Sequence, residues 1–243
     1  MRRPYWIPDN ASPDDFPPIE KALEHPDGLL AVGGDLTSSR IIMAYRLGIF
    51  PWYSDEEPIL WWSPGQRMVL FPEELYVSRS LRKTIRKNKF TVTLDQNFPE
   101  VIKACAGFRR NQDGTWITDE MREAYCQLHD YGFAHSVESW YEGSLVGGLY
   151  GIALGNVFFG ESMFSRVSDA SKVAFTHLVG QLQRWGYQLI DCQVRTAHLQ
   201  SLGAVEIPRQ QYRALLDCLS EASGYTGEWR FDTAESESPL REI

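Results

Sequence analysis

The spacing of hydrophobic and polar positions changes along the chain between a period of two and a period near 3.6, which predicts an α+β fold. Alternating or β-branched runs predict strands at residues 68–71, 90–94, 136–140, 145–153, 157–164 and 188–194. Helical spacing predicts helices at residues 78–88, 97–106 and 169–185, and further helices after Thr118 and Pro208. We therefore expect a mixed, largely antiparallel sheet flanked by helices.

The N-terminal part of the chain differs in composition and predicts a small first domain, residues 1–65. It is rich in proline, glycine and aromatic residues, and its clearest element is a helix that starts near Thr37 and stops at Gly48. Residues 49–64 are aromatic and rich in turns, which indicates a packed but irregular region. The larger domain is expected to span residues 66–232, and the acidic tail at residues 233–243 is expected to be disordered.

Composition places the chain among ordinary globular proteins, with 43% hydrophobic and 23% charged residues. No apolar run approaches the roughly 20 residues of a membrane helix, and no apolar segment follows the N-terminal MRRPYW. A cytoplasmic protein without membrane contact is therefore expected. The four cysteines lack C-x-x-C spacing and the five histidines are scattered, so neither a disulfide framework nor a metal site is predicted.

The formal net charge of −8 argues against nucleic-acid binding by the chain as a whole. Residues 78–89, SRSLRKTIRKNK, are an exception because their charged side chains are all basic: Arg79, Arg82, Lys83, Arg86, Lys87 and Lys89. Like charges this close repel one another. The run therefore indicates a surface that binds anions, with a solvated helix face as the alternative.

Two predicted strands carry a carboxylate among apolar residues: Glu161 within FFGESMF, and Asp191 within LIDCQV. Burying a charge without a partner is costly, so each carboxylate needs either a chemical role or a hydrogen-bond network that ties the strands together. The period of two places Asp191 and Gln193 on one face of their strand and Cys192 on the other. A nucleophile pair of Cys192 with Asp191 is therefore not expected.

The chain resembles the leucyl/phenylalanyl-tRNA–protein transferases in a series of segments that run from about residue 28 to residue 213. They are residues 28–36, 43–45, 48–52, 59–64, 114–118, 123–125, 135–138, 145–151, 160–166, 170–172, 190–193, 201–204 and 206–209. Several are long and chemically unusual, such as GESMFSR and LWWSP. The first residues and the acidic tail lie outside the pattern.

This resemblance implies a larger domain similar in fold to the GCN5-type N-acyltransferases. It implies transfer of Leu or Phe, and less readily Met, from aminoacyl-tRNA to the N-terminal Arg or Lys of an acceptor protein, which marks that protein for degradation. It implies no cofactor. The acetyltransferase loop that cradles CoA is not visible before the helix at residues 169–185, so no CoA is expected.

The resemblance also assigns site residues. It places the catalytic Asp and Gln at Asp191 and Gln193, which would hold or deprotonate the attacking amine. It implies that Trp52 and Trp116 stack on or frame the terminal adenosine. We add the hypotheses that Glu161 receives the α-ammonium of the donor and that the basic run, residues 79–89, grips phosphates of the acceptor stem.

An apolar pocket is expected to accept donor side chains that are unbranched at Cβ, such as those of Leu and Phe. Its candidates are Phe158, Met163, Phe175, Leu178 and Ile190, for each of which core packing is the alternative. Excluding Ile and Val by shape is worth only about 1–3 kcal/mol, so the selectivity should be finite.

Three other functions remain alternatives. The first is a CoA-dependent N-acyltransferase of the same fold, which is disfavoured because this chain shows no CoA loop. The second is a tRNA-dependent peptidoglycan-bridge transferase, which is disfavoured because those proteins are longer. A non-catalytic RNA-binding protein would use the basic run and exposed tryptophans, but it leaves Glu161, Asp191 and Gln193 unexplained.

Overall fold

The computed structural model describes residues 3–110 and 117–232, which form two sheets with helices around them. The small sheet contains β1 (Tyr5–Ile7), β2 (Leu29–Gly33), β3 (Phe50–Pro51) and β4 (Leu60–Trp62), in the order β1-β2-β4-β3. The large sheet contains β5 (Gln66–Leu70), β6 (Thr91–Leu94), β7 (Ala134–Tyr141), β8 (Ser144–Leu154), β9 (Val157–Ser165), β10 (Leu189–Gln193) and β11 (Val205–Pro208). Its order is β11-β5-β10-β9-β8-β7-β6.

The helices are α1 (Ser38–Arg46), α2 (Arg79–Arg86), α3 (Phe98–Arg110), α4 (Asp119–Asp130), α5 (Ala170–Arg184), α6 (Ala197–Gln200) and α7 (Arg209–Leu219). Side-chain caps start several of them: Ser78 Oγ accepts a hydrogen bond from Leu81 N at 3.2 Å, and Thr118 Oγ1 accepts one from Met121 N at 3.1 Å. Among the helices of the described residues, none is both long and apolar enough to cross a bilayer.

The large sheet is antiparallel except between β9 and β10, which run parallel and are joined by α5. A parallel pair needs such a crossover, because the chain must return to the starting end of the sheet. The mixed, largely antiparallel sheet of an α+β protein, predicted from the sequence pattern, is confirmed.

Two apolar cores cover the faces of the large sheet. One packs α3, α4 and α7 on the sheet and continues without interruption into the small sheet and α1. The other packs α2 and α5 on the opposite face. The functional groups described below lie between the two cores, where the sheet opens.

Most predicted elements are confirmed, with differences of a few residues at their ends. The packing predicted for residues 49–64 is confirmed, since Phe50, Tyr53 and Trp61 are buried, but the region is not wholly irregular, because β3 and β4 pair there as antiparallel strands. The sequence also did not predict β1, β2, α6 or β11. These elements have three to five residues, too few to establish a period.

The domain division remains a prediction. The small sheet ends at Trp62 and the large sheet begins at Gln66, but one apolar core joins them. The predicted tail, residues 233–243, lies outside the described residues.

Candidate active site

Strands β9 and β10 separate partway along their length and leave an opening in the sheet. Their parallel pairing ends at Asp191 and Phe159. Just beyond, the pairing of β8 with β9 jumps from Ser162 to Gly160, so that Glu161 is the extra residue of a β-bulge. Bulges re-aim side chains and end strand pairing, and they are common beside active sites.

A second irregularity lies opposite the first, on β10. The pairing of β10 with β5 skips Cys192, and Gln193 adopts a left-handed backbone with φ 54°. The strict alternation predicted for this strand was therefore wrong: Cys192 and Gln193 both line the opening, whereas Asp191 does not. A bulged residue shifts every side chain after it, which breaks the period of two.

The two irregular segments bring Glu161 and Gln193 into contact. Gln193 Nε2 donates a hydrogen bond to Glu161 Oε1 at 3.0 Å. The other carboxylate oxygen, Oε2, accepts one from Tyr125 OH at 3.1 Å, and Tyr125 OH lies 2.6 Å from Tyr45 OH. Glu161 is thus held from both sides, by β10 and by tyrosines of α4 and α1.

Asp191 forms the buried centre of a separate network. Arg67 Nε and Nη2 donate to its two oxygens at 2.8 and 2.6 Å. Tyr212 OH donates to Oδ2 at 2.8 Å, and the backbone N–H of Gln193 donates to Oδ1 at 2.9 Å. Each oxygen accepts two hydrogen bonds, and the residue has no exposed surface. Asp191 therefore fixes the backbone of Gln193 and is shielded from the opening.

The electrostatics of Glu161 differ from those of an ordinary surface carboxylate. Burial raises its pKa to about 7, and hydrogen bonds from Tyr45 and Tyr125 offset only part of that effect. Burial also raises the pKa of Cys192, so its thiol stays protonated near neutral pH. Glu161 is consequently the group of this site that changes charge near pH 7.

The opening leads into a cavity of about 290 Å³. Its apolar walls come from Phe50, Leu149, Met163, Phe175, Ile190 and Leu199. Its polar side chains include Glu161, Ser162, Gln193, Thr196 and His198. An apolar space with a few convergent polar groups is typical of small-ligand sites. Of the predicted pocket residues, Phe158 and Leu178 do not line this cavity; both are fully buried in the core between α5 and the large sheet.

Trp52 stands at the rim of the cavity and is 44% exposed. Trp62 braces it: the two ring centroids lie 5.8 Å apart, and Trp62 Nε1 donates to the carbonyl oxygen of Trp52 at 2.7 Å. An exposed aromatic face beside a cavity can stack on a base. Trp116, its predicted companion, lies outside the described residues.

The predicted basic surface lies on α2 and the turn that follows it. Arg79, Lys83, Arg86, Lys87 and Lys89 are exposed and Arg82 is partly buried. None of the six forms an ion pair with another residue in the described ranges. Thr84 Oγ1 donates to Asp169 Oδ2 at 3.3 Å, which ties α2 to the start of α5. Because Phe175 of α5 lines the cavity, α5 contacts both the cavity and the helix that carries the basic surface.

Asp95, His129 and His135 form a second cluster, with potential ligand atoms within 4.8 Å of one another. The ring nitrogens of His135 already have protein partners, namely Asp95 Oδ2 at 2.7 Å and Gly132 O at 3.2 Å. Its ring also stacks on Trp229 at 3.6 Å. Through these contacts the cluster anchors Trp229, and with it the C-terminal segment, to the large sheet.

Sequence reasoning missed the residues that hold the acids: Tyr45, Arg67, Tyr125 and Tyr212. Arg67 offered one signal, because QRMVL places a charge inside an apolar strand just as LIDCQ does. The tyrosines offered none, since a tyrosine on an apolar helix face is ordinary core composition.

Comparison with known proteins gives a consistent result. The family described as leucyl/phenylalanyl-tRNA protein transferase matches residues 69–217, and its N-terminal domain matches residues 34–65. The leucyl/phenylalanyl-tRNA–protein transferase of Nitrosospira multiformis is 58% identical over 95% of this chain and 100% of its own length. Those of Nitrosomonas europaea and Azotobacter vinelandii are 59% and 63% identical, covering 89% and 81% of this chain and 92% and 87% of their own.

Among solved structures, L-PGS from Bacillus licheniformis aligns with 69% of this chain and 53% of its own, at 9% identity and a TM-score of 0.40, which is too low to bear on function. The family matches cover most of the chain, and the relatives are similar in length and sequence. The chain therefore belongs to the leucyl/phenylalanyl-tRNA protein transferase family.

Proposed function

We propose that this protein transfers Leu or Phe, and less readily Met, from aminoacyl-tRNA to the N-terminal Arg or Lys of acceptor proteins in the cytoplasm, marking them for degradation. The observation that carries the proposal is the hydrogen-bonded pair of Glu161 and Gln193 in the wall of a largely apolar cavity. A cationic amino group and an apolar side chain on the same small molecule match this combination. Family membership supports the donor and the reaction.

In this proposal the donor enters with its apolar side chain among Met163, Phe175 and Ile190, and its α-ammonium reaches Glu161. The carboxylate form of Glu161 attracts the ammonium, and the raised pKa leaves a proton exchangeable near neutral pH. The nucleotide end stays at the rim, where Trp52 offers a face for the terminal adenine. A donor with an acetylated amino group should then be a poor substrate.

The ester bond of the donor is already activated, so the reaction needs no cofactor. The neutral α-amine of the acceptor attacks the ester carbonyl carbon and forms a tetrahedral intermediate. The bond to the ribose oxygen then breaks, and the proton lost by the amine ends on that oxygen. An α-amine with a pKa near ~7.7–8.0 is partly neutral at physiological pH. Positioning and electrostatic stabilisation can therefore supply most of the rate.

Gln193 is the group of the Asp191–Gln193 pair that faces the reacting atoms in this proposal. The four hydrogen bonds to Asp191 leave its oxygens without a free acceptor position. Asp191 thus contributes by fixing the left-handed backbone of Gln193, which aims the amide at Glu161. Strain of this kind persists only where the surroundings enforce it.

The basic side chain of the acceptor needs an acidic partner. Glu138 is buried and accepts hydrogen bonds from Ser136, Thr93 and Asn97, so it does not reach the cavity. Asp191 is also shielded from the cavity, whereas Glu161 lines it. In this proposal Glu161 therefore attracts the positive groups of both substrates.

The direct test is transfer of labelled Leu from Leu-tRNA to a protein that begins with Arg, beside the same protein beginning with Ala. Label on the Arg protein alone is the expected result. Absence of transfer with tRNA binding intact would favour a non-catalytic RNA-binding protein. Label from acetyl-CoA in the absence of tRNA would favour a CoA-dependent acyltransferase.

A further inference from the structure

The cluster that anchors Trp229 also has the spacing of a metal site. Asp95 directly follows β6, His129 lies in the last turn of α4, and His135 is the second residue of β7. One nitrogen or oxygen atom of each residue lies within 4.8 Å of the corresponding atoms of the other two. Two ligands of one tetrahedral zinc ion are roughly 3.4 Å apart, since each lies about 2.0–2.2 Å from the metal. A small adjustment of these side chains therefore brings all three within reach of one ion.

Each histidine of the cluster has one ring nitrogen tied to a backbone carbonyl, which is the usual arrangement of a metal-binding imidazole. Nδ1 of His129 donates to Ala134 O at 2.8 Å. Nε2 of His135 donates to Gly132 O at 3.2 Å. A carbonyl oxygen can only accept, so these two nitrogens carry the hydrogens. In the neutral rings, the other nitrogen of each histidine therefore offers a lone pair.

The lone pair of His135 faces a carboxylate. His135 Nδ1 lies 2.7 Å from Asp95 Oδ2, and the other carboxylate oxygen is held by a hydrogen bond from Ser136 N at 2.7 Å. Two acceptors at this distance repel one another unless a proton or a metal cation lies between them. A proton would use only these two groups, whereas a metal ion can also use the nearby lone pair of His129. The third group therefore favours a metal.

The position and chemistry of the cluster indicate which ions could bind. The side chain of Asp95 is 18% exposed and His129 is only partly buried, so an ion can enter from solution. Three protein ligands leave one position of a tetrahedral ion for water. Two imidazoles and one carboxylate suit zinc and the neighbouring transition metals, whereas calcium and magnesium prefer oxygen ligands.

We propose that Asp95, His129 and His135 bind one divalent transition-metal ion, with zinc as the test case. The ion joins the end of α4 to β7 and to the turn after β6. It also steadies the C-terminal segment, because the ring of His135 stacks on that of Trp229 with centroids 3.6 Å apart. None of the three ligands lines the cavity, so the role is structural. Sequence spacing did not predict this site, since Asp95 and His135 are 40 positions apart.

The experiment is titration of zinc into chelator-treated wild-type protein by isothermal titration calorimetry. We expect one ion per chain, and a higher unfolding temperature with zinc, because a ligand of the folded state stabilises it. His129→Ala should weaken binding by about 100-fold or more. Asp95→Asn should also weaken it, although Asn can still accept the hydrogen bond from Ser136 N. His25→Ala is the control, since His25 is exposed and lies outside the cluster, and it should bind zinc as wild type does.

Trp229 provides a second readout within the protein. Zinc bound to His135 places positive charge beside the indole, so the fluorescence of wild type should change on zinc addition. Trp229→Phe keeps all three ligands and should still bind zinc, but with a much smaller fluorescence change. Absence of zinc binding to wild type would overturn the proposal, because a proton then joins Asp95 to His135. Equal zinc binding by wild type and His129→Ala would also overturn it, because the ion then lies elsewhere.

Discussion

Arg67 and Asp191 form a buried, two-pronged ion pair across the adjacent strands β5 and β10, with nitrogen–oxygen distances of 2.8 and 2.6 Å. The guanidinium also lies between two aromatic rings, 4.6 Å from the centroid of Phe50 and 4.7 Å from that of Tyr212. Phe50 belongs to the small sheet and lines the cavity. One side chain thus joins the small sheet to the strand that carries Gln193.

Removing this cation should cost far more stability than removing a surface cation. Arg67→Ala leaves a buried carboxylate without its partner, and we expect the free energy of unfolding to fall by about 3–5 kcal/mol. Urea denaturation measures the change. Arg195→Ala is the control, because Arg195 is 61% exposed in its pair with Glu206 and should change stability by only about 0–1 kcal/mol. Equal effects of the two substitutions would contradict the role of the buried pair.

Ionisation of Glu161 should lower the free energy of unfolding as the pH rises. Its pKa is 4.5 in the ordinary state and about 7 in the folded protein. Between these values the folded state binds the proton more tightly than the unfolded state, so stability falls with rising pH and the full penalty is present above pH 7. At pH 8 we expect Glu161→Gln to be more stable than wild type by about 1–3 kcal/mol in the free energy of unfolding, and so to unfold at a higher temperature. The same variant should lose most of its transferase activity.

The same comparison at pH 5 supplies the contrast. Most of the stabilisation by Glu161→Gln should disappear there, because the wild-type carboxylate is then largely protonated when folded. Thermal unfolding at both pH values, followed by circular dichroism, gives the difference directly. A stabilisation that is the same at both pH values would show that the charge of Glu161 is not its source.

Trp52 should bind the nucleoside part of the donor. Replacing it by Ala removes a stacking face worth about 1–3 kcal/mol, so affinity for an aminoacyl-adenosine analogue should weaken by that amount. Isothermal titration would measure it. Trp6→Ala provides the control, since Trp6 is 61% exposed on β1 and does not line the cavity. Unchanged affinity after Trp52→Ala would remove this residue from the binding site.

The basic surface of α2 should make donor binding depend on salt. The double variant Lys83→Glu/Arg86→Glu should weaken binding of Leu-tRNA and reduce the slope of log affinity against log salt concentration. Both side chains are exposed, so folding should be preserved. Binding of aminoacyl-adenosine, which has no phosphates, should not change. A salt dependence identical to that of wild type would leave α2 as a solvated helix face.

The sequence was sufficient to predict the helices and strands in which a hydrophobic period repeats several times. The apolar stripe of α5 and the alternation in β7–β9 are long enough to be read directly. It was insufficient where one residue breaks the pattern. The bulges at Glu161 and Cys192 are each a single extra residue, and nothing local distinguishes them from regular strand. The partners of the acids are separated from them by up to 124 positions, as Arg67 is from Asp191, so no local spacing could reveal them.

The apolar core that continues from the small sheet into α3 and α4 makes the chain hard to divide. Tyr45 of α1 contacts Tyr125 of α4, and through it supports Glu161. A fragment beginning at residue 66 would expose the apolar face that the small sheet covers and would lose one hydroxyl of the Glu161 network. Engineering a shorter version of this enzyme, or splitting it into two complementing halves at that point, would therefore impair folding and chemistry together.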